Sequence, residues 1–463
     1  MEKINSPLFF YSLIFTSCLG SLSAGYQFGI YNTCSGAILE FYSLSLDENK
    51  QLYEGLITSS ISLGGIIGAF YSSSLIRVGR RTSLMLTDIF SIVSIFFIYF
   101  PGIFSLIFSR LLSGICLGFN SVIVPIFIKE FSPMEISGTT GSFHSVLGSA
   151  GVMLSFIFGF LMPYVAVDGY GISFWKILFS FPIIFSLTRI YLLMRYFTFE
   201  TPSFLWKKKR EYEAKSVMEM LYSEEQSFEF IKSFQKTNAI TLHYAALFAP
   251  DYINQMKFGI VISMFQQLSG INALIFYSNQ IFLQDGNETI AVVFTFLIGI
   301  LLTITAVISG KFMDYFGRRK AMLFGDFFAV CSLGLMVILK PTSLSFLNKY
   351  VILLFVFTYG VSLGPILWVY LTETLPEKGV SLATLINWVT CLLVSFIFPK
   401  MLNSFLKFEG TFSFFFFCGV IGLIFIYLYM IETKGRSAAE ISKMCQYDVS
   451  NNNFFFYIIM IFL

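Results

Sequence analysis

Arg77-Val78-Gly79-Arg80-Arg81 returns later in the chain as Tyr315-Phe316-Gly317-Arg318-Arg319, a shift of 238 residues from Gly79 to Gly317. Two further landmarks repeat at nearly the same offset. Glu130, in Lys129-Glu130-Phe131-Ser132-Pro133, is matched by Glu373 in Thr372-Glu373-Thr374-Leu375-Pro376, a shift of 243, and Glu200-Thr201 is matched by Glu432-Thr433, a shift of 232. Three matched landmarks argue for an internal duplication. Six apolar runs separate the members of each pair, and six is even, so both halves cross a membrane in one orientation, the parallel-repeat plan.

The segments between the landmarks demand lipid. Of 463 residues 56% are hydrophobic and 12% charged, with a mean hydropathy of +0.76, which excludes a string of soluble domains. The apolar runs are about 20 residues long, the length one helix needs to cross a hydrocarbon core of about 30 Å, and a helix satisfies its own backbone hydrogen bonds there. They predict spans near 8–30, 54–75, 83–101, 103–128, 138–163, 174–197, 256–283, 288–312, 321–339, 347–371, 379–403 and 411–431. The expected fold is an all-α integral membrane protein with twelve transmembrane helices in two six-helix pseudo-symmetric bundles. The expected division is a bundle over 1–197, a linker with short amphipathic helices over 198–255, a second bundle over 256–433 and a short tail over 434–463. Met1-Glu2-Lys3 gives the first run no basic leader, so it is expected to be a retained helix.

Basic residues sit on alternate loops: Arg77, Arg80 and Arg81; Lys207 to Arg210; Arg318 to Lys320; Lys434 and Arg436. The positive-inside rule places these loops and both termini in the cytosol. The opposite loops carry Asp47, Glu48, Asp168, Asp285 and Glu288, and Asn287-Glu288-Thr289 is a glycosylation sequon, a tripeptide frequent by chance. A net charge of +3 gives no reason to expect nucleic acid, and the seven cysteines lie mostly inside apolar runs without metal or disulfide spacing. Phosphate loops, paired metal ligands and nucleophile elbows are missing, so no enzyme activity, cofactor or metal is expected. The partners are the lipid bilayer and a small-molecule solute, with a monomer as the default.

Polar groups inside apolar helices mark where chemistry can sit, because they are costly unless paired or wetted. Span seven reads Gln266-Gln267-Leu268-Ser269-Gly270-Ile271-Asn272-Ala273, and at about 100° per residue a continuous helix puts Gln266, Ser269 and Asn272 on one face. Carboxamides suit a neutral polyhydroxyl solute, since each donates and accepts without imposing charge. The alternative is hydrogen bonding between helices. In span ten Gly360, Gly364 and Pro365 precede Trp368, which fits a hinge beside a stacking aromatic or, equally, a proline kink with a packed tryptophan. The Arg and Glu landmarks can form ion pairs that hold one side shut, or serve only to orient the chain. His144 is read as a packed polar residue or a proton relay, and His243 falls in the linker.

These residues resemble the sugar porter family of the major facilitator superfamily over roughly 10–441. Gly25-Tyr26-Gln27-Phe28-Gly29-Ile30 is similar to its first-helix motif, the two Gly-Arg-Arg loops to its repeated loop signature, and Pro125 to Pro133 to the pattern that closes helix four. The most specific likeness is Gln266 to Ala273 with Tyr277-Ser278, followed by Glu432-Thr433-Lys434-Gly435-Arg436. The resemblance implies a major facilitator fold and a central sugar site. Gln266, Gln267 and Asn272 would be hydroxyl ligands, Trp368 the stacking aromatic, and Asn387 with Trp388 a neighbouring wall. Gly360, Gly364, Pro365 and Tyr277 would serve as hinge and gate, and Arg80, Arg81, Glu130, Arg318, Arg319 and Glu373 as a cytosolic latch. Departures are Ser145 in place of a long amide, Leu302 in place of an asparagine with Thr303 beside it to offer a hydroxyl, Gly360 in place of an acid, Cys391 in place of an asparagine, and Ser137 and Ser203 in place of basic latch residues.

Three functions compete. Facilitated diffusion of a hexose or related polyol is favoured because Gln27 stands where proton-driven relatives carry an aspartate, and an amide has no titratable proton near neutral pH. Asp88 and Asp326, inside spans three and nine, keep a proton-coupled symporter open. A sensor that binds sugar without transport is the third, although the tail is brief and its apolar end, 454–463, is too short to span a bilayer. The plasma membrane is the default location.

Overall fold

The computed structural model describes residues 6–44, 50–166, 171–223, 227, 244–250, 252–283, 288–436 and 440–444. The sequon Asn287, His243 and the apolar end 454–463 lie outside them. Among the described residues the regular structure is helical throughout. Twelve helices are long and apolar enough to cross a membrane: Pro7–Phe41, Leu52–Val78, Arg80–Tyr99, Ile103–Phe131, Ser137–Gly159, Phe174–Arg195, Ile253–Leu283, Thr289–Phe316, Arg318–Leu339, Ser345–Thr374, Glu377–Leu402 and Lys407–Tyr429. We call them spans one to twelve.

Each expected run has its helix, and the first runs eleven residues further than its hydropathy indicates, to Phe41. Past Ile30 the chain turns polar with Asn32, Thr33 and Ser35, yet Tyr31, Cys34 and Ile38 are buried in a cluster with Trp175 and Leu178 of span six. Burial against protein replaces lipid as the reason for the helix. Three spans are broken. Span six divides into Gly171–Ser180 and Ile183–Arg195 next to Pro182, span seven at Ser269-Gly270, and span ten at Ser362.

Helices in lipid gain little from apolar contact with one another, so close approach of small residues holds them together. Spans two and four show this. A Cβ on Gly64 or Gly68 would lie 2.1 Å from the carbonyl oxygen of Leu111 or Ile115, and one on Gly114 would lie 2.1 Å from that of Ile61. The two Gly-x-x-x-Gly pairs therefore face each other with backbone on backbone. Large apolar side chains such as Phe104, Met194, Ile338 and Phe417 stay exposed on the outside, as a lipid-facing belt requires. Between the halves, span five packs on span eight, span two on span eleven, and span one on the second piece of span seven.

Pro202–Lys207 and Glu211–Leu221 follow span six. Pro202 occupies the first helical position, where its missing N–H costs nothing. Ala214, Val217, Met218 and Leu221 form the buried face of the second helix, and the Tyr222 hydroxyl donates to the Phe131 carbonyl at the end of span four.

Candidate functional site

A cavity of about 200 Å³ lies between the halves, well above the roughly 10–15 Å³ that a single enclosed water needs. The first half contributes Ser21, Phe28, Asn120, His144 and Ser145 to its wall, and the second contributes Gln266, Gln267, Asn272, Tyr359, Trp368, Asn387 and Trp388. No Asp, Glu, Lys or Arg is among the described residues that line it. The wall is mostly apolar, and the polar groups set into it are amides, hydroxyls and an imidazole.

The break in span seven builds the second-half wall. Gly270 takes φ +84°, a left-handed conformation that favours glycine, and a Cβ there would meet the Phe415 ring at 2.9 Å. The single helical face expected for Gln266, Ser269 and Asn272 is corrected by this turn. Ser269 Oγ donates back to the Gln266 carbonyl at 2.6 Å and stays out of the wall, while Gln267 enters it. Gln267 Nε2 donates to Asn387 Oδ1 at 2.8 Å, Asn387 Nδ2 donates to Gln266 Oε1 at 2.6 Å and to the Ser263 carbonyl at 2.9 Å, and Asn272 Nδ2 donates to Gln267 Oε1. Four carboxamides thus orient one another and keep further donors and acceptors for a solute.

Across the cavity Ser21 Oγ and His144 Nδ1 share a hydrogen bond of 2.8 Å. His144 also stands edge-on to Trp368, with ring centroids 5.5 Å apart. Trp388 Nε1 and Ser145 Oγ are buried and have no partner among the described residues. Leu302 lines the wall, and Thr303 does not offer its hydroxyl there: Oγ1 donates to the Gly299 carbonyl of its own helix at 2.9 Å.

In span ten Gly364 and Pro365 line the cavity just after the break, and Gly360 lies just before it. A Cβ on Gly360 would come within 2.0 Å of Thr305 Oγ1, so span eight presses on the chain at this point. Tyr277 lies outside the cavity wall; its hydroxyl donates to the Ser395 carbonyl at 2.9 Å and ties the second piece of span seven to span eleven. Asn32 of span one reaches that same piece, donating to the Ile275 carbonyl and to Ser278 Oγ, both at 2.9 Å. Gln27 also lies outside the wall, and its carbonyl accepts from Arg110 Nη1 at 2.6 Å.

The Gly-Arg-Arg loops are helix starts. Gly79 has φ +134° and Gly317 φ +86°, and a Cβ on either would fall 2.3 Å from the carboxylate of Glu200 or Glu432. Glu200 accepts the N–H groups of Arg81 and Thr82 at 3.0 and 3.1 Å. Glu432 accepts those of Arg318 and Arg319 at 2.8 and 3.1 Å. Each carboxylate satisfies orphan donors at the positive end of a helix.

On the same face, Arg80 pairs with Glu130 at 2.8 Å and, across the halves, with Glu377, which also takes Lys207 at 2.5 Å. Arg318 pairs with Glu373 at 2.8 Å and donates across to Ser137 Oγ at 2.7 Å. Asp314 of span eight accepts the N–H groups of Gly138 and Thr139 at the start of span five, at 2.9 and 2.8 Å. Lys129 reaches the Thr372 carbonyl. Arg81 and Arg319 do not join the halves; they donate to the Leu193 and Tyr427 carbonyls of their own. Sequence reasoning passed over Glu377, Asp314 and Asn120. Asn120 carried a usable signal, an amide inside an apolar run, whereas Glu377 and Asp314 look like ordinary loop charges.

The family pattern described as sugar (and other) transporter matches residues 13–445. The chain belongs to the sugar transporter family. As a sugar transporter it is 30% identical to the glucose transporter GlcP of Staphylococcus epidermidis, with 93% of this chain and 96% of that protein covered. It is 29% identical to hexose transporter 1 of Plasmodium vivax (strain Brazil I), with 91% and 90% covered. Among solved structures it resembles the proton:xylose symporter XylE bound to 6-bromo-6-deoxy-D-glucose, with a TM-score of 0.85, 21% identity, and 94% of this chain and 99% of that one covered. This sugar transporter therefore has the major facilitator fold and is a multi-pass membrane protein.

Proposed function

We propose that this transporter carries a neutral hexose by facilitated diffusion. The observation that carries the reading is the uncharged cavity between the halves, walled by the mutually oriented amides of Gln266, Gln267, Asn272 and Asn387. Amides and hydroxyls recognise sugar hydroxyls, and Trp368 with Trp388 gives apolar faces for the ring's C–H groups. The names of the glucose and hexose transporters it resembles support a hexose.

Transport follows as alternating access. The breaks at Gly270 and Ser362 let half-spans move, the Asn32 bonds to span seven close one side, and the Glu377, Asp314 and Ser137 contacts close the other. The Gly-Arg-Arg face is the cytosolic one by its charge, and both termini share it, in a plasma membrane by default. Uniport is favoured because the acids inside the spans do not reach the solute. Asp88 is bound by Arg189 at 2.7 Å, and neither Asp88 nor Asp326 lines the cavity.

The test is tracer uptake in a transporter-null cell with glucose, fructose, galactose, mannose, myo-inositol and pentoses. Saturable hexose uptake is expected, abolished by Gln267→Ala at normal surface expression; unchanged uptake in that variant moves the site elsewhere. External alkalinisation on sugar addition would replace uniport with proton symport.

A further inference from the structure

Arg189 of span six is fully buried. Its Nε and Nη2 grip the two oxygens of Asp88 in span three at 2.7 and 2.8 Å. Its Nη1 donates to the Ser17 carbonyl of span one at 3.1 Å and to Asn120 Oδ1 of span four at 2.9 Å. Asn120 Nδ2 donates in turn to the Cys116 carbonyl at 2.9 Å. A guanidinium only donates and a carbonyl only accepts, so both ends of the Asn120 amide are assigned by their partners. Backbone closes over the group: a Cβ on Gly20 would lie 1.8 Å from Arg189 Nη1 and 2.2 Å from Asn120 Oδ1.

Asn120 nevertheless lies in the cavity wall. One N–H of Nδ2 and one lone pair of Oδ1 remain outside these bonds, in an amide whose plane cannot turn. It is also the sole carboxamide that the first half presents to the cavity among the described residues. Four amides face it from the second half. A solute favours closure of the halves only through contacts that both make with it.

We infer that Asn120 is a specificity-determining sugar contact of the first half, donating to one hydroxyl oxygen of the solute, and that Arg189 and Asp88 are its positioning residues. The inference rests on the sugar-site reading above. Arg189 and Cys116 hold both ends of the Asn120 amide, as they would a purely structural asparagine; what sets this one apart is its place in the cavity wall with one N–H of Nδ2 uncommitted.

The experiment measures uptake KM for D-glucose and for its monodeoxy analogues lacking the hydroxyl at C1, C2, C3, C4 or C6, normalised to surface protein. Wild type should discriminate against the analogue that lacks the partnered hydroxyl by about 2- to 10-fold, the size of one hydrogen bond. Asn120→Ala should raise the D-glucose KM by that factor and bring the ratio for that one analogue to about 1, leaving the other ratios as they were. Arg189→Lys keeps a cation beside Asp88 but lacks the planar fork that also holds Asn120, so it should erase the same ratio. If either variant is poorly expressed, Asn120→Ser is read by quenching of tryptophan fluorescence in purified protein with the same analogues. A parallel change across all analogues, or none, overturns the inference. Where that happens while Gln267→Ala still abolishes uptake, the sugar site stands and only the role of Asn120 falls; retained uptake in Gln267→Ala removes both.

Discussion

Asp88 and Asp326 occupy corresponding positions of the two halves, eight residues after Arg80 and Arg318 respectively. Asp88 lies under the Arg189 guanidinium, which reaches on to the cavity wall. Asp326 is equally buried and forms no ion pair or hydrogen bond among the described residues. The offset that carries Glu200 to Glu432 carries Arg189 to Ile421, so the matching position of span twelve offers no cation. The duplication has kept the helix starts alike and let the interiors part. In the first half a charge network fixes one wall residue; in the second, broken helices and neutral amides form the wall.

The largest effect should come from splitting the first-half pair. Asp88→Asn or Arg189→Met leaves one charge buried without its partner, at a cost of about 3–5 kcal/mol, seen as a lower thermal unfolding midpoint in detergent and reduced surface expression. Replacing both together should recover most of the loss, because no stranded charge remains. If each single variant were as stable as wild type, the contrast with Asp326 would have no energetic meaning.

A smaller effect is expected at the seam. Glu377→Gln removes the partner that Arg80 and Lys207 share, and with the Glu377 side chain 32% exposed the loss is about 1 kcal/mol. The Gly-Arg-Arg face should then open more often, raising the labelling rate of a cysteine placed in the cavity by about 5-fold for a reagent supplied from that side. An unchanged rate would show that the bridge does not bias the equilibrium.

The smallest effect should be at Asp326. Asp326→Asn strands no cation and keeps the shape, so stability should move by less than about 1 kcal/mol. A loss as large as that for Asp88→Asn would break the comparison, since it would require a partner that the geometry does not supply.

The twelve spans, the two halves and the shared face of the Arg and Glu landmarks could be read from sequence because hydropathy and charge act along the chain. Gln266, Gln267, Asn272 and Trp368 are legible as intramembrane polar and aromatic groups and Asn387 only through the family resemblance, and the structure brings all of them to one cavity. What escaped depends on partners far apart in the chain. The turn at Gly270 moves Ser269 out of the face that a continuous helix would give it, and the left-handed backbone together with the Phe415 ring pressing from span twelve explains why a glycine stands there. Thr303 was expected to stand in for a missing amide, but its own helix offers a nearer acceptor. The assignment of Glu377 to Arg80 joins residues 297 apart, a distance over which local pattern carries no information.

Glu200 and Glu432 each stand where the last helix of a bundle ends, yet each is bonded to the start of that bundle's third helix. Such a stitch joins early and late parts of one bundle at its rim, so neither bundle can shear internally there without losing it. Sliding at that rim is thereby disfavoured, which leaves the boundary between the bundles and the half-spans beyond Gly270 and Ser362 as the parts free to swing around a cargo.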